Sequence, residues 1–156
     1  MHDVPAGWTE TVRGVITPVD CDVNNHMNVI GYFTRFCDAS GYLMKEADIY
    51  YSDLVTRGLG LATIVNTLRY QDELADGDRF VVHSGILRLG KSSIRYVHKL
   101  MNATTGSLCA SSDMTEVQFD LSTRSSSPWD EQTRQRIEAM VVALSPEDQA
   151  WFDGGR

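Results

Sequence analysis

Asp20-Cys21-Asp22-Val23-Asn24-Asn25-His26-Met27-Asn28, running straight into Val29-Ile30-Gly31-Tyr32-Phe33, is the stretch that decides the fold. Two carboxylates, three carboxamides and an imidazole crowd into nine residues, and the segment after them turns abruptly apolar. From Val29 to about Asp48 the spacing predicts a helix. Ile30, Phe33, Cys37 and Met44 fall near one stripe, and Tyr32, Phe36 and Leu43 near another. Arg35, Asp38, Lys45 and Asp48 supply most of its polarity. A helix apolar over more than half its circumference is expected to be wrapped by other structure.

Working outward, residues 9–17 carry β-branched side chains and predict a first strand, closed by Pro18. Beyond Gly58 and Gly60 four more strands are expected, over 61–71, 80–89, 94–101 and about 108–121, with turns at Asp76-Gly77-Asp78 and 102–106. One strand, one helix and four consecutive strands cannot form parallel βαβ units, so the late strands must pair antiparallel. The expected class is α+β, with a curved antiparallel sheet around the helix. Ser127-Pro128 and Ser145-Pro146 have the form of helix starts and predict two short helices over about 128–153. No repeat or long linker divides residues 1–156, which read as one domain.

The bulk numbers narrow the function. Fourteen basic against 21 acidic residues give a net charge of −7, a surface that repels a phosphate backbone and argues against nucleic acid. The amino terminus shows no secretory leader, and no segment approaches a membrane span, so no membrane role is expected. Cys21, Cys37 and Cys109 lack a metal-site spacing and read as reduced thiols of a cytoplasmic protein.

Three readings of the polar stretch compete. As a calcium loop, Asp20, Asp22 and Asn24 fit the first positions, but Asn25 stands where Gly is needed and Gly31 where Glu is needed, which discards it. As a capping turn, Asn28 is well placed to be the N-cap of the helix, yet capping uses only one side chain. As a catalytic loop, a carboxylate beside the helix start acts as nucleophile or as general base toward water. The unpaired helix amides then stabilise an oxyanion, with no metal or cofactor.

Asp22-x-Asn24-x-His26-Met27-Asn28, Tyr32 and the apolar helix resemble the thioesterase-like branch of the hotdog-fold acyl-CoA thioesterases, similar to 4-hydroxybenzoyl-CoA and betainyl-CoA thioesterases. The order of elements, Gly77-Asp78, Leu89-Gly90-Lys91-Ser92-Ser93 and the region of Arg124 and Pro128 extend the likeness along nearly the whole chain. The resemblance implies a hotdog fold, an acyl-CoA substrate and self-association as a homodimer or homotetramer with sites at the subunit interface. It matches Asp22 to the catalytic carboxylate, and Asn24, His26 and Asn28 to residues shaping the loop. It places the carbonyl-polarising amide near Val29, with Tyr32 beside the substrate. It matches Lys91, with Arg88, Ser92 and Ser93, to the grip on the CoA phosphates. Asn25 stands where relatives often carry Gly, Val29 where many have Asn, and Gly90 where some have Arg.

A rival sits further along. Gly85-x-x-x-x-Gly90-Lys91-Ser92 matches the P-loop pattern of nucleotide hydrolases, which requires a strand, a phosphate-wrapping loop and then a helix. Ile86-Leu87-Arg88-Leu89 reads instead as strand interior. A hotdog protein that binds acyl-CoA without turnover is the other alternative.

Overall fold

The computed structural model describes residue 4 and residues 6–152; readings that touch residues 1–3, 5 and 153–156 lie outside the described residues. Its elements in order are β1 (Thr9–Val15), α1 (Val29–Glu46), α2 (Tyr51–Thr56), β2 (Leu59–Tyr70), β3 (Arg79–Leu89), β4 (Ser93–Asn102), β5 (Leu108–Asp120), α3 (Glu131–Ala139) and α4 (Pro146–Phe152). The strands form one sheet in the order β1-β3-β4-β5-β2, every pair antiparallel. β3, β4 and β5 are neighbours in sequence and in the sheet, joined by tight turns. The long excursion through α1 carries the chain across the inner face, from one edge strand to the other.

Each ladder contains one break in register, including one between Thr63 and Val65 on β2 and one between Ile86 and Arg88 on β3. Such bulges sharpen the local twist and bend a sheet. Here they curl it around α1. Phe36, Ala39, Leu43 and Met44 of the helix are fully buried, in common clusters with Val82, Leu100 and Ala110 at one end of the sheet and with Ile86, Ile94, Tyr96 and Met114 at the other. This is the hotdog arrangement expected from the resemblance. The outer face is covered too, by Trp8, Val142, Leu144, Trp151 and Phe152 packed over Val97 and Leu87.

A polar chain crosses the apolar centre. Thr11 Oγ1 lies 2.7 Å from Ser84 Oγ, which lies 2.6 Å from His98 Nδ1, while Ser40 Oγ of α1 lies 3.1 Å from His98 Nε2. Burial disfavours the charged imidazole and pushes His98 down to about 3, so it is neutral and ties α1 to β1, β3 and β4.

Several expectations shift. α1 is not wrapped on all its apolar sides, because Val29, Ile30 and Phe33 are 63%, 72% and 45% exposed within one chain. β1 ends at Val15, two residues early. α2 was not foreseen. α3 begins at Glu131, capped by Asp130, whose side chain accepts from Thr133 N. Ser127 instead donates its amide to Gln118 O and lies alongside β5. The second expected start holds: Ser145 Oγ accepts from Asp148 N at the head of α4. The P-loop reading fails, because Gly85–Leu89 is strand and Lys91-Ser92 is the turn into strand β4, with no helix.

Candidate active site

The polar stretch folds into a narrow loop at the end of the sheet where β1 and β2 finish and β3 begins. Cys21 and Met27 bridge across its base, and Asp22 N donates to His26 O at 2.9 Å. Asn25 at the tip has φ 62°, a left-handed conformation that Asn tolerates. Met27 N donates to Leu74 O at 2.7 Å and Asn28 N to Asp20 O at 2.8 Å, which fixes the loop against the 71–78 connection and against its own start.

The two carboxylates have separate roles. Asp20 is buried, accepts from Thr17 N at 3.0 Å and Thr17 Oγ1 at 2.7 Å, and pairs with Arg35 of α1 at 2.8 Å. Burial works to raise its pKa, but the Thr17 bonds and the Arg35 charge outweigh it and hold the carboxyl below its usual 3.8. Asp20 is therefore the anchor of the loop. Its stabilisation is fully present above pH 3.8 and disappears as pH falls through the lowered native value. Asp20→Asn is expected to lower unfolding free energy by about 2 kcal/mol in urea titrations near neutral pH, since it leaves Arg35 with a weakened partner.

Asp22, by contrast, is exposed and makes no ion pair with the described residues. Its Oδ1 accepts from Asn24 N at 2.8 Å and His26 N at 3.4 Å, so the backbone of the loop aims the carboxylate while Oδ2 meets only Asn24 Nδ2 at 3.5 Å. His26 Nε2 stands 3.3 Å from Glu73 Oε2, a partly exposed contact with a residue that sequence reasoning missed. Nothing in the local pattern signals Glu73, because only the fold brings the 71–78 connection to the loop.

Asn28 is the N-cap: its Oδ1 accepts from Gly31 N at 2.9 Å. The Tyr32 amide is taken by Asn28 O. Among the described residues no acceptor takes up the amides of Val29 and Ile30, which remain available at the positive end of an 18-residue helix. Tyr32 is buried beneath the loop, with its hydroxyl 3.4 Å from Asp72 O and its ring edge-on to Tyr70. Burial pushes that phenol up to about 12, so it stays neutral.

The expected phosphate-binding group lies elsewhere. Lys91 is exposed on the β3–β4 turn. That turn is held by Trp129, whose amide reaches Lys91 O and whose indole reaches Ser93 O, and by Arg134 on Gly90 O. Ser92 O accepts from Gln118 N. Arg88 opens on a hollow of about 380 Å³ shared with Arg95, Leu144 and Gln149. β3 spans 11 residues between the loop end and this turn, roughly 33 Å of strand. Within one chain the two groups of predicted site residues thus sit at opposite ends of the sheet. Nor does one chain enclose Asp22, which faces solvent.

A family model described as the thioesterase-like superfamily matches residues 16–137. No curated protein matches the chain. Among solved structures, a hypothetical protein of Staphylococcus aureus characterised in complex with CoA superposes with a TM-score of 0.80 at 20% identity, over 86% of each chain. A 1,4-dihydroxy-2-naphthoyl-CoA thioesterase from Synechocystis gives 0.75 at 15% identity, covering 82% of this chain and 94% of the other. A DHNA-CoA thioesterase from Staphylococcus aureus gives 0.75 at 14% identity, covering 96% and 95%. At these identities the superpositions establish the fold.

Proposed function

Since the chain belongs to the thioesterase-like superfamily, we propose that it hydrolyses an acyl-CoA thioester to a carboxylic acid and free CoA. The observation that carries this reading is the pairing of an aimed, unpaired Asp22 carboxylate with the free first amides of α1. A thioester carbonyl seated over the amides of Val29 and Ile30 gains stabilisation as its oxygen becomes an oxyanion. Asp22 then either attacks the carbonyl carbon, giving a mixed anhydride and CoA thiolate, or removes a proton from the attacking water. Asn24 and Asn28 hold the geometry, and His26, backed by Glu73, flanks it.

The working unit is a dimer. β2 is an edge strand, 12 residues long, with Ile64 and Val65 exposed at 60% and 53%, and α1 leaves Val29, Ile30 and Phe33 of its first turns uncovered. Such an edge invites pairing with another strand. Antiparallel pairing of β2 with its own copy sets the start of one β2 against the end of the other. The Asp22 loop of one chain then meets the Lys91 turn of its partner, which reunites the two halves of the site and encloses the carboxylate. Changing both Ile64 and Val65 to Asp is expected to yield a monomer in light scattering with turnover lost alongside. Full activity from that monomer would refute the composite site. A second pairing of dimers would give the homotetramer, and a cytoplasmic location suits a CoA substrate.

The direct experiment incubates the protein with a panel of acyl-CoA esters and a thiol-reactive dye. Thiol release above the spontaneous rate supports hydrolysis, whereas ligand binding without release supports the non-catalytic alternative. Lys91→Ala is expected to raise KM for CoA esters about tenfold with kcat nearly unchanged, the loss of one charge-assisted contact to phosphate. An unchanged KM would remove Lys91 from the phosphate grip.

A further inference from the structure

A hollow of about 620 Å³ opens on the outer face of the sheet, between α4 and the ends of β4 and β5. That volume is in the range of pockets that hold small organic molecules. Met101 of β4, Leu108 of β5 and Ala150 and Trp151 of α4 give it apolar walls. Gln71, Lys99, Ser145, Glu147 and Asp148 bring polar groups to the same space. Gln71 follows β2 and begins the connection against which the Asp22 loop is fixed, so the hollow lies at that end of the sheet but on its opposite face.

The charged and aromatic donors of the hollow are already engaged. Lys99 is ion-paired with Asp148, the two side chains 15% and 16% exposed, and its ammonium lies 5.0 Å from the centre of the Trp8 ring. The Trp151 indole donates to Ser111 Oγ at 2.7 Å. The acceptors are not engaged to the same degree. Asp148 meets Lys99 through Oδ1 alone, and Glu147, which is exposed, makes no ion pair with the described residues. Two carboxylates against one ammonium leave the lining with a net negative charge beside its apolar walls.

We propose that this hollow binds a primary ammonium carried on a small apolar body. The three N–H groups of the ammonium go to the Glu147 carboxylate and to Asp148 Oδ2, as charge-assisted hydrogen bonds. The apolar body lies along Met101, Leu108 and Trp151, and gains by leaving water. A carboxylate of the same shape meets two carboxylates and an ammonium that is already paired. An alcohol fills the walls but brings no charge. The site stands on its own lining and does not depend on the hydrolase reading.

The test titrates the intact protein by calorimetry at low salt with phenethylammonium, phenethyl alcohol and hydrocinnamate, which share one ring and one chain length. Ethylammonium is run beside them, because a chain of net charge −7 attracts any cation weakly. Phenethylammonium is expected to bind one per chain, at least about tenfold more tightly than each of the other three. Glu147→Gln should weaken it about tenfold, and Ala150→Trp, which fills the hollow, should abolish binding. Both positions are exposed, and melting curves check that the variants are folded. Where Ala150→Trp displaces α4, Glu147→Gln carries the test. Equal affinity for the ring compounds, equal affinity for ethylammonium, wild-type affinity in Glu147→Gln, or no binding at all overturns the proposal. Thiol release is scored separately, so loss of either reading leaves the other standing.

Discussion

Asp22→Asn is expected to reduce kcat for any accepted acyl-CoA by two to four powers of ten, the range typical for loss of a positioned general base or nucleophile. The substitution is well isolated from stability. Asp22 is exposed, and the bond that shapes the loop, from Asn24 N to Oδ1 at 2.8 Å, can be kept by the carboxamide oxygen of Asn. What disappears is the charge and the ability to take a proton or attack carbon. The variant should therefore melt within a degree or two of wild type, bind CoA equally well and release thiol near the background rate. A variant turning over at a third of the wild-type rate would show that the carboxylate is not the chemical group. The hydrolase would then need another base, and His26 with Glu73 is the nearest pair.

Acid should weaken this protein well before its carboxylates titrate. His98 is fully buried and neutral, with burial holding it down to about 3, whereas an unfolded histidine takes its proton near 6.5. Between those values the unfolded chain binds one more proton than the folded one, so stability falls as pH falls. The slope is a little over 1 kcal/mol per pH unit from this group alone. His83, also buried with a lowered pKa, adds in the same direction. Urea midpoints measured from pH 7 to pH 4.5 should decline steadily, by an amount equivalent to about 2 to 3 kcal/mol. In His98→Gln, which keeps hydrogen-bonding atoms near Ser84 and Ser40, most of that slope should vanish even if stability at pH 7 is lower. An unchanged slope would mean that water or an alternative packing reaches the imidazole when it charges.

How far the sequence foretold these features depended on range. The start of α1 was legible because its signal is local: Asn28 caps, and the apolar pattern begins at the next residue. The strands were legible from alternation and from turn residues such as Gly77 at φ 87°. α2 was hidden because Tyr50, Tyr51 and Val55 favour extended structure and no side chain caps its start. Ser127-Pro128 misled because the Ser127 amide is claimed by Gln118 O, a tertiary pairing that no helix-start rule anticipates. In the site, Asp20 and Asp22 looked alike in the sequence. Only the position of Arg35, nearly two turns into α1 and 15 residues away from Asp20, divides them into an anchor and an exposed acid. Glu73 was invisible for the same reason, since it acquires its meaning from His26, a neighbour far along the chain.

The break in register on β2 has a last consequence. Upstream of Ile64 odd-numbered residues such as Thr63 point inward, and downstream the even-numbered Asn66 does so, reaching Ser112 across the ladder. One surplus residue acts as a phase shifter, exchanging the two faces of the strand midway along it. Deleting Ile64 alone would bring the stretch before it back into step with the stretch after it. Thr63 would stay opposite Glu116 of β5 and facing inward, and the edge strand would lose its bulge. In evolving or engineering this chain, a single-residue gap there therefore flattens the edge and leaves the lining chemistry as it was.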